Sequence, residues 1–503
     1  MSQNVCLVIF DGFGEALAGP GNAVKNAHTP HLDQLRQNYP FSLLQASGEA
    51  VGVIEGVMGS SEIGHFTMGA GRVVPQFLLA INKDIESGEF FKKQPLINAL
   101  AQAKASGKKL HILGMISDKG VHCHIDHMLA LLKWAAKEGL EKVYIHAITD
   151  GRDVPPQTAQ KYLAQLQEAI NNLGVGSIAT VIGRYYTMDR DNNWDRIKVG
   201  YDLMVNGLGE KISDPVQIPH HFYTTHPGKT DQYITPYVVD ENGLIEDGDT
   251  VIFANFRTDR PRQITAAFTD PAFDHFEQPL KHVHWVCMGP YSDQAPVVYH
   301  TPVVKNNLAD WLAAHHITQL RVTETEKYAH LTYFFNSQEE HAKPLEDRIH
   351  IHTPQVKTHD EKPELAAAEI TQAVVDAMHK GAHRVIMVNY ANADLVGHTG
   401  NYEATVKAME ALDECLGKLV AAAKETNTVL LLTGDHGNAE EMLLEDGTPR
   451  TSHTTNPVIF VVMDPAHHIQ SVKNGGLKDV APTVLQLLSL AKPAEMTGIS
   501  LVA

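Results

Sequence analysis

Short runs of β-branched and aliphatic residues alternate along the chain with longer stretches in which apolar residues recur at helical spacing. This alternation predicts α/β architecture, with parallel sheets covered by helices. The clearest strands are VCLVIF (5–10), VYIHAI (143–148), IATVI (178–182), VIFANF (251–256), VIMVNY (385–390) and VLLLT (429–433). Between them, 122–138 places Ile125, Met128, Leu129 and Leu132 on one helical face, with Gly139 as the stop signal. The stretch 403–423 repeats the pattern with Val406, Met409, Leu416 and Val420.

The polar motifs fall where such a fold would use them. Asp11, Asp150 to Asp153, Arg184, Arg257, Asp394 and Asp435 each lie within a few residues of a predicted strand end. Open α/β sheets bind ligands beyond the carboxyl ends of their strands, so this placement points to function.

With 503 residues the chain exceeds what one hydrophobic core organises, and two domains are expected, although no repeat or polar linker marks a boundary. The formal net charge of −18 argues against a nucleic-acid-binding face or attraction to anionic lipid, so an anionic substrate must be gathered by a local basic cluster. Cys6, Cys123, Cys287 and Cys415 are scattered without a CxxC pair, as reduced thiols would be. No positive leader precedes the first apolar run, and no stretch approaches the roughly 20 apolar residues of a membrane helix. A cytoplasmic protein is expected.

Four segments carry residues suited to divalent metals: FDGFG at Asp11, NADLVGH with Asp394 and His398, TGDHGN with Asp435 and His436, and TSHTT at His453. Mixed carboxylate and imidazole ligands suit Mn²⁺ or Zn²⁺ and suit Ca²⁺ less. A DG pair after a strand is by itself a turn signal, and DxxxH alone carries little. Adjacent Asp435 and His436 between a buried strand and Gly437 are harder to accommodate without a partner.

MGSSEIGHFTMGAGR (58–72) sets Ser60 and Ser61 in a glycine-rich context that is either a flexible loop or a place where backbone approaches a ligand. A serine coordinated to a metal loses its proton more readily and becomes a nucleophile. Arg152, Arg184, Arg190, Arg257 and Arg260 stand against an acidic background. Singly each reads as a solvated charge or an ion pair; together they suit phosphate and carboxylate, which the guanidinium fork binds through two oxygens. Lys327 in ETEKYAH is either solvated or a point charge for a phosphoryl group.

Taken together, FDGFG, SSEIGHFTMGAGRVV, SDKGVHCHIDH, DGRDVPP, GRYYTMDRDNNWDR, NFRTDR, ETEKYAH, NYANADLVGHTG, TGDHGNAE, SHTTNPV and EMTGISL closely resemble the cofactor-independent phosphoglycerate mutases of the alkaline phosphatase superfamily, nearly end to end. The resemblance implies an alkaline-phosphatase-like domain with a central, mostly parallel sheet, formed by residues 1–75 and 300–503, and an inserted α/β transferase domain, 76–299. It implies two divalent ions, commonly Mn²⁺, one held by Asp394, His398 and His453 and the other by Asp11, Ser61, Asp435 and His436. It places substrate contacts on His122, Arg152, Asp153, Arg184, Arg190, Arg257, Arg260 and Lys327, and catalysis on Ser61, Asp153 and Lys327. The chain departs from the family pattern at Ser60, usually Asn, at Lys119 and Cys123, and across 214–237. Ser60 raises the question of which hydroxyl is the nucleophile, and alignment through SEIGH favours Ser61.

The implied reaction interconverts 3-phosphoglycerate and 2-phosphoglycerate through a phosphoserine, in a monomer that needs a small-molecule substrate but neither nucleic acid nor membrane. Proton transfer falls to Asp153, with His122 second. Two rivals stand: a phosphomonoesterase or mutase for another sugar phosphate on the same metal core, and a metal-stabilised binding protein without turnover.

Overall fold

Asn4–Phe10, Val385–Tyr390 and Thr428–Gly434 are apolar on both faces and buried almost throughout, so they form inner strands of a sheet covered on each side. The computed structural model describes residues 3–280 and 282–502. Two compact units divide the chain: Met1–Pro75 with Pro302–Ala503, and Gln76–Thr301. Each contains a mostly parallel sheet.

In the first unit eight strands run in the order Glu346–Ile351, Gln319–Glu324, Val385–Tyr390, Asn4–Phe10, Thr428–Gly434, Val458–Met463, Phe41–Gln45 and Gly475–Gly476. Only Val458–Met463 runs against the others. Alternation separates the two faces of the central strand. Cys6, Val8 and Phe10 pack into one core, and Val5, Leu7 and Ile9 into another. Helices Ala367–Lys380 and Tyr402–Glu425 cover the first of these, and Val480–Leu487 covers the second. The register positions the chemistry: Phe10 pairs with Tyr390 on one side and Gly434 on the other, so Asp11, Ala391 and Asp435 leave the sheet at one level.

In the second unit, five parallel strands run Ser177–Gly183, Val143–Thr149, Leu110–Ile116, Thr250–Phe253 and His284–Cys287, and two-residue strands Tyr237–Val238 and Glu210–Lys211 extend the first edge. The strand expected over 251–256 stops at Phe253, because Asn255 turns its side chain back to accept a hydrogen bond from Met115 N at 3.0 Å. The helix expected over 122–138 begins at Ile125, capped by His124 Nδ1 accepting from Asp126 N. Both shortenings leave His122 in a loop, where its carbonyl accepts from Phe256 N.

Among the described residues of this unit, four histidines are buried. His111 and His146 form a polar chain across the sheet, from Asp249 Oδ2 through His111 and His146 to Thr180 Oγ1, with steps of 3.1, 3.0 and 2.8 Å. Burial lowers the pKa of His122 and His127 to about 3 and pushes those of His111 and His146 down as well, so all four are neutral in the folded protein at neutral pH. The unfolded chain takes up protons below about pH 6.5, so this stability is complete above that pH and is lost as pH falls toward 3. His122 and His127 are each expected to cost about 2 kcal/mol at pH 5 relative to pH 7. Urea unfolding read by fluorescence checks this, since Trp134, Trp194 and Trp285 lie in this unit. Equal midpoints at the two pH values would contradict it.

Candidate active site and metal centre

Ser61 opens the helix Ser61–Ala70, and Ser60 is its N-cap, accepting from Ile63 N. Ser and Asn are equally good caps, so Ser60 meets the capping requirement that an Asn at this position would also meet. The two hydroxyls are thereby separated. Ser61 Oγ turns inward, donates to Asp11 Oδ1 at 3.0 Å, lies 3.0 Å from His436 Nε2 and receives Lys327 Nζ at 2.8 Å. The positive end of the helix favours negative charge at this position.

Around Ser61, two groups of side chains converge tightly enough to hold a cation each: Asp394, His398 and His453, and Asp11, Asp435 and His436. In the first, His398 Nδ1 faces Thr451 O at 2.7 Å and His453 Nδ1 faces Gly59 O at 2.9 Å. A ring nitrogen facing a carbonyl carries a proton, which leaves Nε2 of each ring as the atom that can present a lone pair to a cation. Those atoms lie 3.0 Å from each other and 3.1 and 3.2 Å from Asp394 Oδ1, close enough for one cation to take all three as ligands. In the second group Gly12 N donates to Asp435 Oδ1, while the buried Asp435 Oδ2 makes no well-aligned hydrogen bond and has His65 Nδ1 at 3.1 Å. Both donor sets therefore fit a divalent metal.

The electrostatics agree. Burial would raise the carboxyl pKa values of Asp11 and Asp394, but the Lys327 ammonium and neighbouring imidazoles hold both far below the usual range. Burial would likewise lower Lys327, yet Asp11, Asp394 and Asp435 push it up. For His436 the same contest, with Asp435 the largest attraction, raises the pKa to about 10. Three buried carboxylates thus draw in all the positive charge within reach. Lys327 Nζ bridges the two groups, 2.6 Å from Asp11 Oδ1 and 2.5 Å from Asp394 Oδ2.

The second unit gathers the other expected residues. Arg184 Nη1 donates to Asp150 Oδ1 and Asp153 Oδ2 at 2.6 and 2.5 Å, and its Nη2 lies 3.0 Å from His122 Nε2. Asp259 accepts from Arg190 Nη1 at 2.7 Å and Arg257 Nε at 3.1 Å, and lies 3.7 Å from His122 Nδ1. Arg260 donates to Met188 O; burial, then the charges of Arg184, Arg190 and Arg152, lower its pKa. Arg184, Arg190 and Arg257 share three carboxylates, and the charges of Arg152 and Arg260 come in addition, which leaves positive charge for an anion. Of the expected substrate contacts only Lys327 lies in the other unit, within the metal groups.

Several residues that complete these clusters escape sequence reasoning. Asn389 Nδ2 donates to Asp11 Oδ2 at 2.8 Å and also lies 2.9 Å from His65 Nε2. His65 Nδ1 in turn faces Ser61 O at 2.9 Å and Asp435 Oδ2 at 3.1 Å. Asp259 is the acid of NFRTDR, and Asn438 Nδ2 reaches Asp394 Oδ1 at 3.4 Å. The signal available for each was its place inside a motif, not its chemistry. Gly12 meets a stricter demand: its φ is +74°, and a Cβ there would lie 2.8 Å from Asp394 Cα.

Residues 81–293 match the family described as the BPG-independent PGAM N-terminus, and residues 292–464 match the type I phosphodiesterase / nucleotide pyrophosphatase family. The 2,3-bisphosphoglycerate-independent phosphoglycerate mutase of Clostridium perfringens is 46% identical, with 98% of each chain covered. That of Moorella thermoacetica is 45% identical over 100% of this chain and 99% of its own. A crystal structure of Leishmania mexicana phosphoglycerate mutase, obtained at low cobalt concentration, is 30% identical and superposes with a TM-score of 0.63 over 100% of this chain and 98% of that one. With relatives this similar along its whole length, the chain belongs to the 2,3-bisphosphoglycerate-independent phosphoglycerate mutases, a family of isomerases.

Proposed function

We propose that the protein interconverts 3-phosphoglycerate and 2-phosphoglycerate, with Ser61 carrying the phosphate between the two hydroxyls of glycerate. The observation that carries this reading is the environment of Ser61 Oγ: Asp11, His436 and Lys327 all lie within 3.0 Å of it. Two divalent ions, Mn²⁺ in this reading, would be held by Asp394, His398 and His453, and by Asp11, Ser61, Asp435 and His436. Bound there, they would acidify the Ser61 hydroxyl and offset charge on the phosphoryl oxygens.

Ser61, its hydroxyl proton released before transfer, attacks phosphorus through Oγ while the bond to the substrate oxygen breaks, and the departing oxygen takes a proton from the proton carrier. In the second half the other hydroxyl gives up its proton and attacks, and the bond to Ser61 Oγ breaks. Lys327 adds a fixed positive charge beside the transferring group. The arginine cluster binds the carboxylate and retains glycerate between the two halves. Asp153 is the proton carrier in this reading, by the family resemblance, with His122 Nε2, 3.8 Å from its Oδ2, the second candidate. The first unit thus serves as a phosphatase-like domain and the second as the transferase domain. The four free thiols fit the reducing conditions of a cytoplasm, and the phosphoglycerate reaction would place the enzyme in glycolysis and gluconeogenesis. Among the described residues, no helix is long and apolar enough to cross a membrane.

A coupled assay converting 3-phosphoglycerate with Mn²⁺ and no bisphosphoglycerate tests the reading. Chelation should abolish turnover and Mn²⁺ restore it; full activity in metal-free protein, or an absolute need for bisphosphoglycerate, overturns it. At limiting Mn²⁺, activity should fall as pH drops below neutrality. His398 and His436 both have raised pKa values without a cation, so protons compete for their lone pairs. Excess Mn²⁺ should restore most of the loss, and failure to do so would shift the effect to the proton carrier.

A further inference from the structure

Glu440 is buried, only 2% exposed, and is not among the groups that converge on either cation position. Its carboxylate nonetheless meets three of the segments that carry them. Oε2 accepts from Gly14 N at 3.1 Å and Asn438 N at 2.8 Å. Oε1 accepts from Asn456 Nδ2 at 3.0 Å and from Thr454 Oγ1. Gly14 ends the turn begun by Asp11, Asn438 follows Asp435 and His436, and Thr454 follows His453. All four donors are neutral, so the carboxylate acts as an acceptor hub and not as half of an ion pair.

Two glycines show that the space is made for this group. A Cβ on Gly14 would lie 2.2 Å from Glu440 Cδ, and one on Gly437 would lie 2.4 Å from Glu440 Oε1 and 2.2 Å from Thr454 Oγ1. The glycines of FDGFG and TGDHGN therefore clear room for one carboxylate. Backbone pairing closes the same junction: Thr454 N donates to Gly437 O at 3.0 Å, and Ala439 N to Gly12 O at 3.1 Å.

We propose that Glu440 is a positioning residue that holds the Asp11, Asp435–His436 and His453 segments at one spacing, and so sets the affinity of both cation positions. The proposal rests on the metal reading above. Its chemistry requires a carboxylate. Glu440→Gln replaces two acceptor sites by two N–H donors, and in either amide orientation these face a pair of donors. The segments must then part, and the ligands with them.

Mn²⁺ binding to the full chain, followed through the electron paramagnetic resonance signal of free Mn²⁺, separates the possibilities. Glu440→Gln should bind Mn²⁺ roughly 10–100-fold more weakly, the usual range when a partner of a ligand is lost. The activity of that variant should rise with Mn²⁺ concentration, while its KM for 3-phosphoglycerate at saturating Mn²⁺ stays near wild type. Thr454→Val, which removes one donor at constant size, should weaken binding in the same direction by less, and it decides the matter if Glu440→Gln does not fold. Affinity within about twofold of wild type in the folded variants overturns the proposal. Wild-type protein that binds no Mn²⁺ would instead overturn the metal reading, and with it this inference.

Discussion

Ser61→Ala is expected to lose mutase activity by at least about 10⁴-fold, the scale seen when a nucleophile is removed from an assembled site. The variant keeps the Ser60 cap and the helix behind it, since only Ser60 Oγ accepts from Ile63 N. Folding should therefore be little changed. Ser60→Ala makes the opposite cut: it removes a cap, at about 1 kcal/mol of stability, and leaves the reacting oxygen in place. Wild-type enzyme run in ¹⁸O-labelled water should put almost no solvent oxygen into product phosphate, because in the proposed reaction the phosphate passes from substrate to Ser61 and back. Substantial label would mean that water opens the phosphoserine in each cycle, which is what a phosphomonoesterase does. Activity in Ser61→Ala above about 1% of wild type would remove Ser61 from the mechanism altogether.

Lys327→Met is expected to act twice, and the two effects come apart with metal. The ammonium is buried between Asp11, Asp394 and Ser61, with its side chain only 4% exposed. Removing it strands two buried carboxylates, a loss of about 3–5 kcal/mol for a broken buried pair, so the chelated variant should melt well below chelated wild type. Mn²⁺ should recover most of that loss, because a cation can replace the missing charge. It should not recover the rate. A fixed donor beside a transferring phosphoryl group is worth about 10²–10³-fold, and that deficit should persist at saturating Mn²⁺. A variant whose rate recovers along with its melting temperature would make Lys327 a structural counter-ion only.

Some of this was legible before any coordinates. Apolar strands that end abruptly in Asp or in Asp-His announce themselves, because a buried strand tolerates no charge until its end; Asp11 and Asp435 directly follow Phe10 and Gly434. The helix Tyr402–Glu425 was readable because its apolar residues repeat once per turn over its length. The strand ending at Phe253 and the helix starting at Ile125 are each shorter by a few residues than periodicity predicts, since Asn255 and His124 satisfy backbone groups with side chains. Periodicity does not record such bonds.

By itself, then, the sequence determined which residue types stand at which strand ends, and through the density of its motifs the family to which they belong. Tertiary structure alone decided which groups each carboxylate oxygen meets, that Lys327 bridges the two groups of candidate metal ligands, and that Asp259 and Glu440 complete their clusters. The physical reason is distance along the chain. Asp11 and Asp394 meet only because Phe10 pairs with Tyr390 in a parallel register, and Glu440 reaches Gly14 only because that register carries Gly434 alongside. A hydrogen bond between residues hundreds of positions apart has no local signature, so its partners become visible only when the strands that carry them lie side by side.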